Sequence, residues 1–193
     1  MIFQVVGGMV FCKLFHYIAK LNFLDSTKHR TGIREMRIRK AIKSDLPQIV
    51  DLWWEMHTSH YRYDRPYYKL PTKKVAKRSA EKHYSGIVDL PEWIFLVADD
   101  KGILTGYLCA LVENRPPVYQ PSKRVLIIST GVREDYRGKR IFKKLYLRMK
   151  KSAVKHQPYH IELLVDIDNP AIEMYKQLGF KNRHIKMYCE FSP

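Results

Sequence analysis

Between residues 125 and 155 the periodicity of the chain changes abruptly, and that change limits what it can fold into. Val125 to Ile128 is a short apolar run rich in β-branched residues, which predicts a buried strand. Glu134, Asp135 and Gly138 then predict a turn. Beyond it Ile141, Leu145 and Met149 recur every four residues, with Phe142 and Ala153 beside them. Lys143, Lys144, Arg148, Lys150, Lys151 and Lys155 fill the opposite face, so an amphipathic helix is expected. A strand that feeds a basic turn and a helix N-terminus makes an anion site. The first helical N–H groups lack intrahelical partners, and the dipole is positive there. Arg137, Lys139 and Arg140 add fixed charge at the same end. A solvated helix start on a basic protein is the plain alternative.

The next elements of the chain weigh against that alternative. Residues 160–180, HIELLVDIDNPAIEMYKQLGF, predict a second strand, an Asx-type cap and a short helix carrying Tyr175, closed by Leu178-Gly179-Phe180.

With these two stretches the chain resembles the GNAT superfamily of acyl-CoA-dependent N-acyltransferases, roughly over residues 36–191. The family pattern V-x-x-x-Y-R-G-K-G-I-G is matched from Val132 to Phe142. The pattern L-x-V-x-x-x-N-x-x-A-I-x-x-Y-x-x-x-G-F is matched from Leu163 to Phe180. The resemblance implies an α/β domain with a mixed, mostly antiparallel sheet flanked by helices. The sheet splays between strands four and five, at residues 125–132 and 160–166. It implies acetyl-CoA as acyl donor, bound in the splay, and a primary amine as acceptor. Backbone near Val132 would hold the pantetheine arm and offer an N–H to the oxyanion. Arg137, Gly138, Lys139, Arg140, Ile141 and Phe142 would hold the pyrophosphate. Tyr175 would donate a proton to the leaving thiolate. The family asparagine falls on Asp168, with Asn169 one step later, and either residue can cap the helix.

Two departures stand out. The family's two loop glycines fall on Arg140 and Phe142, where glycine would let the backbone approach the pyrophosphate. Phe142 fits only if its ring turns into the core. The carboxylate that many members carry before the phosphate turn is also missing. That strand reads VLIISTG, and Ser129 and Thr130 are poor bases unaided. Glu55, His57, His60, Asp64 and Glu113 are the candidates from other elements, with a water chain as the alternative. These gaps keep open a rival reading, an acyl-CoA-binding module of the same fold that lacks turnover.

The remaining segments frame this domain. Residues 36–42 alternate like an edge strand. A helix capped by Ser44 or Asp45 is expected to run to about His60, burying Leu46, Ile49, Val50, Trp53 and Met56. The aromatic-rich end after it makes Trp54, His57, Tyr61, Tyr63 and Tyr67 a candidate acceptor pocket. A basic helix is expected from Thr72 to Tyr84. Two apolar runs joined by Asp99-Asp100-Lys101-Gly102 predict a hairpin, and HIKMYCEF alternates like a last strand.

Residues 1–35 stand outside the pattern, and we expect the acyltransferase domain to begin at Met36. A start codon upstream of the domain's own would account for this leader; a helical arm packed on the domain is the alternative. Its apolar stretch, 2–11, is too short to cross a membrane, so no membrane association is expected.

The net charge of +16 over 193 residues favours anionic ligands. Nucleic acid is a weaker rival partner, because the basic helices carry few aromatic platforms for bases. A homodimer is compatible with the sequence. Cys12, Cys109 and Cys189 form no metal or disulfide pattern, so a reduced, cytoplasmic protein without a metal is expected. His57 and His60 lack a third ligand at telling spacing.

Overall fold

The computed structural model describes residues 36–120 and 122–189; the leader at 1–35 lies outside them. Five strands form one sheet in sequential order. They are β1 (Arg37–Lys40), β2 (Trp93–Asp100), β3 (Ile103–Asn114), β4 (Lys123–Val132) and β5 (His160–Leu163). The first three junctions are antiparallel and β4 with β5 is parallel. Helices α1 (Leu46–Ser59) and α2 (Lys73–Ile87) connect β1 to β2. Helix α3 (Ile141–Ala153) makes the crossover from β4 to β5, and α4 (Ala171–Gln177) follows β5.

The sheet is buried on both faces, which explains why residues 94–98 of β2 are apolar without alternation. Phe95 and Val97 pack with Ile49, Val50, Tyr84 and Tyr107 on the α1–α2 side. Ile94, Leu96 and Ala98 pack with Leu145, Met149 and Val125 on the α3 side. The expected hairpin forms: Lys101 and Gly102 take positive φ, 55° and 90°, and the Gly102 N–H donates to Asp99 Oδ1 at 2.7 Å. Asp45 precedes α1 as expected, but its carboxylate does not cap that helix. It turns back to accept from the Ile42 N–H at 2.9 Å and from both arms of the Arg39 guanidinium, at 2.7 and 2.9 Å.

One irregularity creates the site. The β3–β4 register slips between Cys109 paired to Ser129 and Ala110 paired to Ile127, so Ile128 is an extra residue. The parallel pairing with β5 ends at Ile127 opposite Leu163, immediately before the bulge. The bulge also exchanges the faces of β4. Val125 and Ile127 point to the α3 core, whereas a Cβ on Gly131 would meet the Tyr107 ring and the Leu52 carbonyl on the α1 side. Beyond the bulge the two strands part, and a cleft opens between them.

The tail differs from expectation. The described residues 181–189 form no strand, and Ile185 and Met187 are exposed. Their alternation is compatible with a strand, but strand formation needs backbone partners that alternation alone does not provide.

Candidate active site

The cleft is bordered by the end of β4, the turn after it, the start of α3, the segment beyond β5 and α4. One wall is the turn at 133–140. Arg140 sits at the N-cap of α3 with φ 59° and ψ 22°, the left-handed region. Glycine occupies that region without steric cost, which explains the family preference at this position. Gly138 has φ 76°. The first α3 bond runs from the Lys144 N–H to the Arg140 carbonyl at 3.1 Å, so the N–H groups of Ile141, Phe142 and Lys143 have no carbonyl one turn back. Phe142, at the second displaced glycine, turns into the core. It is 6% exposed, stacked on Tyr146 and edge-on to Tyr175 at 5.3 Å.

The charged side chains of the turn divide their roles. Arg140 is exposed and lines the cleft. Arg137 also lines the cleft, and it donates to the Val132 carbonyl at 3.3 Å and to Glu55 Oε1 at 3.3 Å. Glu55 also accepts the Glu134 N–H at 3.0 Å, so α1 is tied directly to the turn. The Lys139 ammonium sits 4.5 Å from the Tyr136 ring centre and does not border the cleft.

Across the cleft, Asn169 and not Asp168 serves α4. Asn169 Oδ1 accepts the Ala171 N–H at 2.9 Å and the residue lines the cleft. Asp168 is exposed outside the lining; its N–H donates to Asp166 Oδ1 at 2.9 Å. Leu178-Gly179-Phe180 forms a Schellman end. The Phe180 N–H bonds the Tyr175 carbonyl at 3.1 Å, the Gly179 N–H bonds Lys176 at 2.9 Å, and Gly179 has φ 93°. That end sets the Phe180 ring against Tyr175 and Tyr146. Tyr175 is thereby held between Phe142 and Phe180 and faces the cleft. Its hydroxyl takes no hydrogen bond from the described residues, and burial pushes its pKa up to about 12. The phenol stays protonated at neutral pH. A thiol resembling cysteine's titrates near about 8.5, so this phenol suits hydrogen-bond donation to a developing thiolate better than early proton release.

The floor is the end of β4. Ser129 Oγ lies 2.6 Å from the fully buried Tyr107 hydroxyl, and Thr130 Oγ1 donates to the Tyr107 carbonyl at 2.8 Å. Both hydroxyls are engaged within the fold.

The wall above β4 comes from α1 and the loop after it. Trp53, Met56, His57 and His60 line the cleft at spacings of three, four and seven residues, one stripe of a helix. Tyr63, Tyr67 and Tyr68 extend this wall, and the Tyr68 hydroxyl donates to Asp166 Oδ2 at 2.7 Å. Trp54 and Tyr61 do not line the cleft. Trp54 lies one residue, about 100° of helix, away from the stripe, and Tyr61 receives the Leu70 N–H through its hydroxyl at 3.2 Å. Trp53, His60 and Tyr68 are the lining residues that the aromatic-cluster reading missed. The stripe spacing on α1 was the signal for the first two; nothing local marks Tyr68.

The sequence matches the acetyltransferase (GNAT) family over residues 46–180, and the chain belongs to that family. Among curated proteins none matches closely enough to count as a relative. Solved structures with the same fold include a tetramutant of a Bacillus halodurans protein, at 22% identity and TM-score 0.70, covering 81% of this chain and all of that one. A predicted acetyltransferase from Clostridium acetobutylicum, solved with acetyl-CoA, gives 14% identity and TM-score 0.65 over 81% of this chain and 96% of its own. Glucosamine-6-phosphate N-acetyltransferase from Arabidopsis thaliana gives 18% identity and TM-score 0.59 over 82% and 100%. Among the described residues no helix is long and apolar enough to cross a membrane, and no cluster of metal-ligating side chains occurs.

Proposed function

We propose that the protein is a cytoplasmic N-acetyltransferase that moves the acetyl group of acetyl-CoA to a primary amine. The observation that carries this reading is the cleft itself. Unpartnered N–H groups of α3 stand at one end, and the Tyr175 hydroxyl faces in from α4. The Clostridium acetobutylicum neighbour, solved with acetyl-CoA, supports the choice of donor. In this reading the pyrophosphate rests on the turn at 137–142, where the helix dipole and Arg140 favour negative charge. The pantetheine arm runs along the freed edge of β4 to Val132. The amine enters from the aromatic wall of α1 and attacks the thioester carbonyl. Tyr175 hydrogen-bonds the sulfur as it leaves, an interaction that strengthens only in the transition state.

Binding of acetyl-CoA is the first test. A ligand that binds only the folded state at 100 times its Kd adds about 2.7 kcal/mol of apparent stability. Melting scans with millimolar acetyl-CoA should rise accordingly. If acetyl-CoA leaves the transition unmoved while inorganic phosphate or nucleic acid raises it, the reading fails. The engaged hydroxyls of Ser129 and Thr130 favour a second reading, an acyl-CoA-binding module without turnover. Acetyl-CoA binding with no CoA release for any amine would support it.

A further inference from the structure

Acyl transfer to an amine needs a group that removes a proton from nitrogen, and the strand below the cleft offers none. Three of the five candidates are committed elsewhere. Glu55 holds the Glu134 N–H and Arg137. Glu113 holds Arg124 at 2.7 and 2.9 Å, at the opposite end of β4 from Val132. Asp64 is half-buried at the rim, where it accepts from the Tyr188 hydroxyl at 2.5 Å and the Tyr67 N–H at 3.0 Å. His57 and His60 remain, and they differ. The His60 ring lies among Tyr63 and Tyr68, at 5.5 and 5.1 Å, with no hydrogen bond to the described residues that fixes its tautomer. His57 Nδ1 lies 3.0 Å from the Trp53 carbonyl. A carbonyl only accepts, so Nδ1 carries the hydrogen and the lone pair is on Nε2. The ring also lies tilted against Trp53, with ring centres 4.2 Å apart, which holds its orientation.

The helix carries that ring onto the cleft wall near the end of β4. The Leu52 carbonyl lies 3.4 Å from the Cβ position of Gly131, so α1 crosses β4 next to Val132. His57 is five residues further on, about 7.5 Å along the axis, and on the cleft stripe.

We propose that His57 Nε2 is the general base of the acetyl transfer. This rests on the acetyltransferase reading above and assigns its missing base. The amine nitrogen attacks the thioester carbonyl carbon and forms the C–N bond. The nitrogen of the adduct, now carrying a surplus proton, gives it to His57 Nε2. The C–S bond then breaks and its electrons leave on sulfur, with the Tyr175 hydroxyl hydrogen-bonded to the departing thiolate. Solvent takes one proton from His57 and gives one to the thiolate, which makes the CoA thiol. Thioester and amine thus become amide and thiol, with no other reactant.

Electrostatics suit the task. Burial, foremost, and the neighbouring His60 charge hold the His57 pKa below the usual 6.5, so the ring is neutral and able to accept at physiological pH. Charged groups lining the cleft beyond those already named include Arg62, His83, Arg115, His160, Glu162 and Asp166.

The experiment compares wild type, H57Q and H60N. Acetyl-CoA affinity is measured by calorimetry. Release of CoA thiol is followed with tyramine, aniline, an alanine-leading tetrapeptide and water as acceptors. Thermal melts confirm folding, and nitrogen-15 histidine spectra report the His57 tautomer whether or not H57Q is stable. H57Q should bind acetyl-CoA within twofold of wild type and turn over about 10²–10⁴-fold more slowly. Below the lowered His57 pKa its log rate should climb with pH by one unit less per pH unit than that of wild type, because one titrating base is gone. H60N should lose less turnover than H57Q, and the neutral His57 should show hydrogen on Nδ1. A wild-type rate in H57Q, an unchanged pH slope, hydrogen on Nε2, or acetyl-CoA binding with no CoA release by wild type would each overturn the assignment. Absence of acetyl-CoA binding would instead bring down the transferase reading and this assignment with it.

Discussion

Arg140 offers a direct energetic test, because its backbone and its side chain act in opposite directions. At φ 59° it pays the left-handed penalty of an L residue, about 1–2 kcal/mol. Glycine removes that penalty but adds about 0.5–1 kcal/mol of chain entropy to the unfolded state. Taking the middle of each range, R140G should gain about 0.75 kcal/mol over R140A, which keeps the Cβ. Both variants remove the same charge from a helix N-terminus, so that effect cancels between them. For a domain of this size the difference corresponds to about 1–4 °C in melting temperature. Calorimetric melts of the two variants, side by side, measure it. Acetyl-CoA affinity should fall in both, about tenfold to a hundredfold, if the guanidinium meets the pyrophosphate, since charge-assisted bonds are worth about 1.5–3 kcal/mol. Equal melting temperatures for R140A and R140G would show that residue 140 is not left-handed in solution. That result would remove the steric reason for a glycine preference at this position.

Further outcomes are expected in other parts of the site and core. Y175F should lower kcat about 10²–10⁴-fold with acetyl-CoA affinity nearly unchanged, since the ring still packs between Phe142 and Phe180; steady-state kinetics beside calorimetry decide it. G131A should lose about 1–3 kcal/mol in urea melts, because the new Cβ would lie 2.9 Å from the Tyr107 ring and 3.4 Å from the Leu52 carbonyl. The Asp99 carboxyl is held below its usual 3.8 by the Arg39 guanidinium, then by the Gly102 N–H. Its contribution is complete above that value and is lost as pH falls through the lowered folded pKa. D99N should therefore show a shallower loss of stability on acidification, followed by denaturant titrations from pH 5 to 2.

Much of this was legible in the sequence because the signals are local. The change from a β-branched run to an i, i+4 stripe located β4 and α3, and two positive-φ residues at 101 and 102 match the hairpin read from Lys-Gly. Gly179 followed by an aromatic residue marked the end that seats Tyr175. The displaced glycine at Phe142 was interpretable only as a ring in the core, and the ring is there. The features that stayed hidden depend on distant partners. Whether Asp168 or Asn169 faces the cleft depends on the turn that Asp166 makes. The engagement of Arg137 depends on Glu55, 82 residues away. The tail alternates apolar and polar residues, yet alternation specifies a face and not a pairing partner. Nor does any local pattern mark Ile128 as surplus.

That surplus residue bears on how the domain can change. Strand β4 stays paired with β3 on both sides of the extra residue, and it is the ladder with β5 that ends there. The slot between β4 and β5 thus begins at a fixed point, whatever the side chains nearby. The slot is therefore a matter of backbone arithmetic. The aromatic wall on α1 and the loop beyond it can be rewritten, one acceptor for another, while the fork beneath stays open. A deletion of Ile128 would do what no single lining substitution can: remove the register shift against β3 and turn Ser129 and Gly131 to the opposite face.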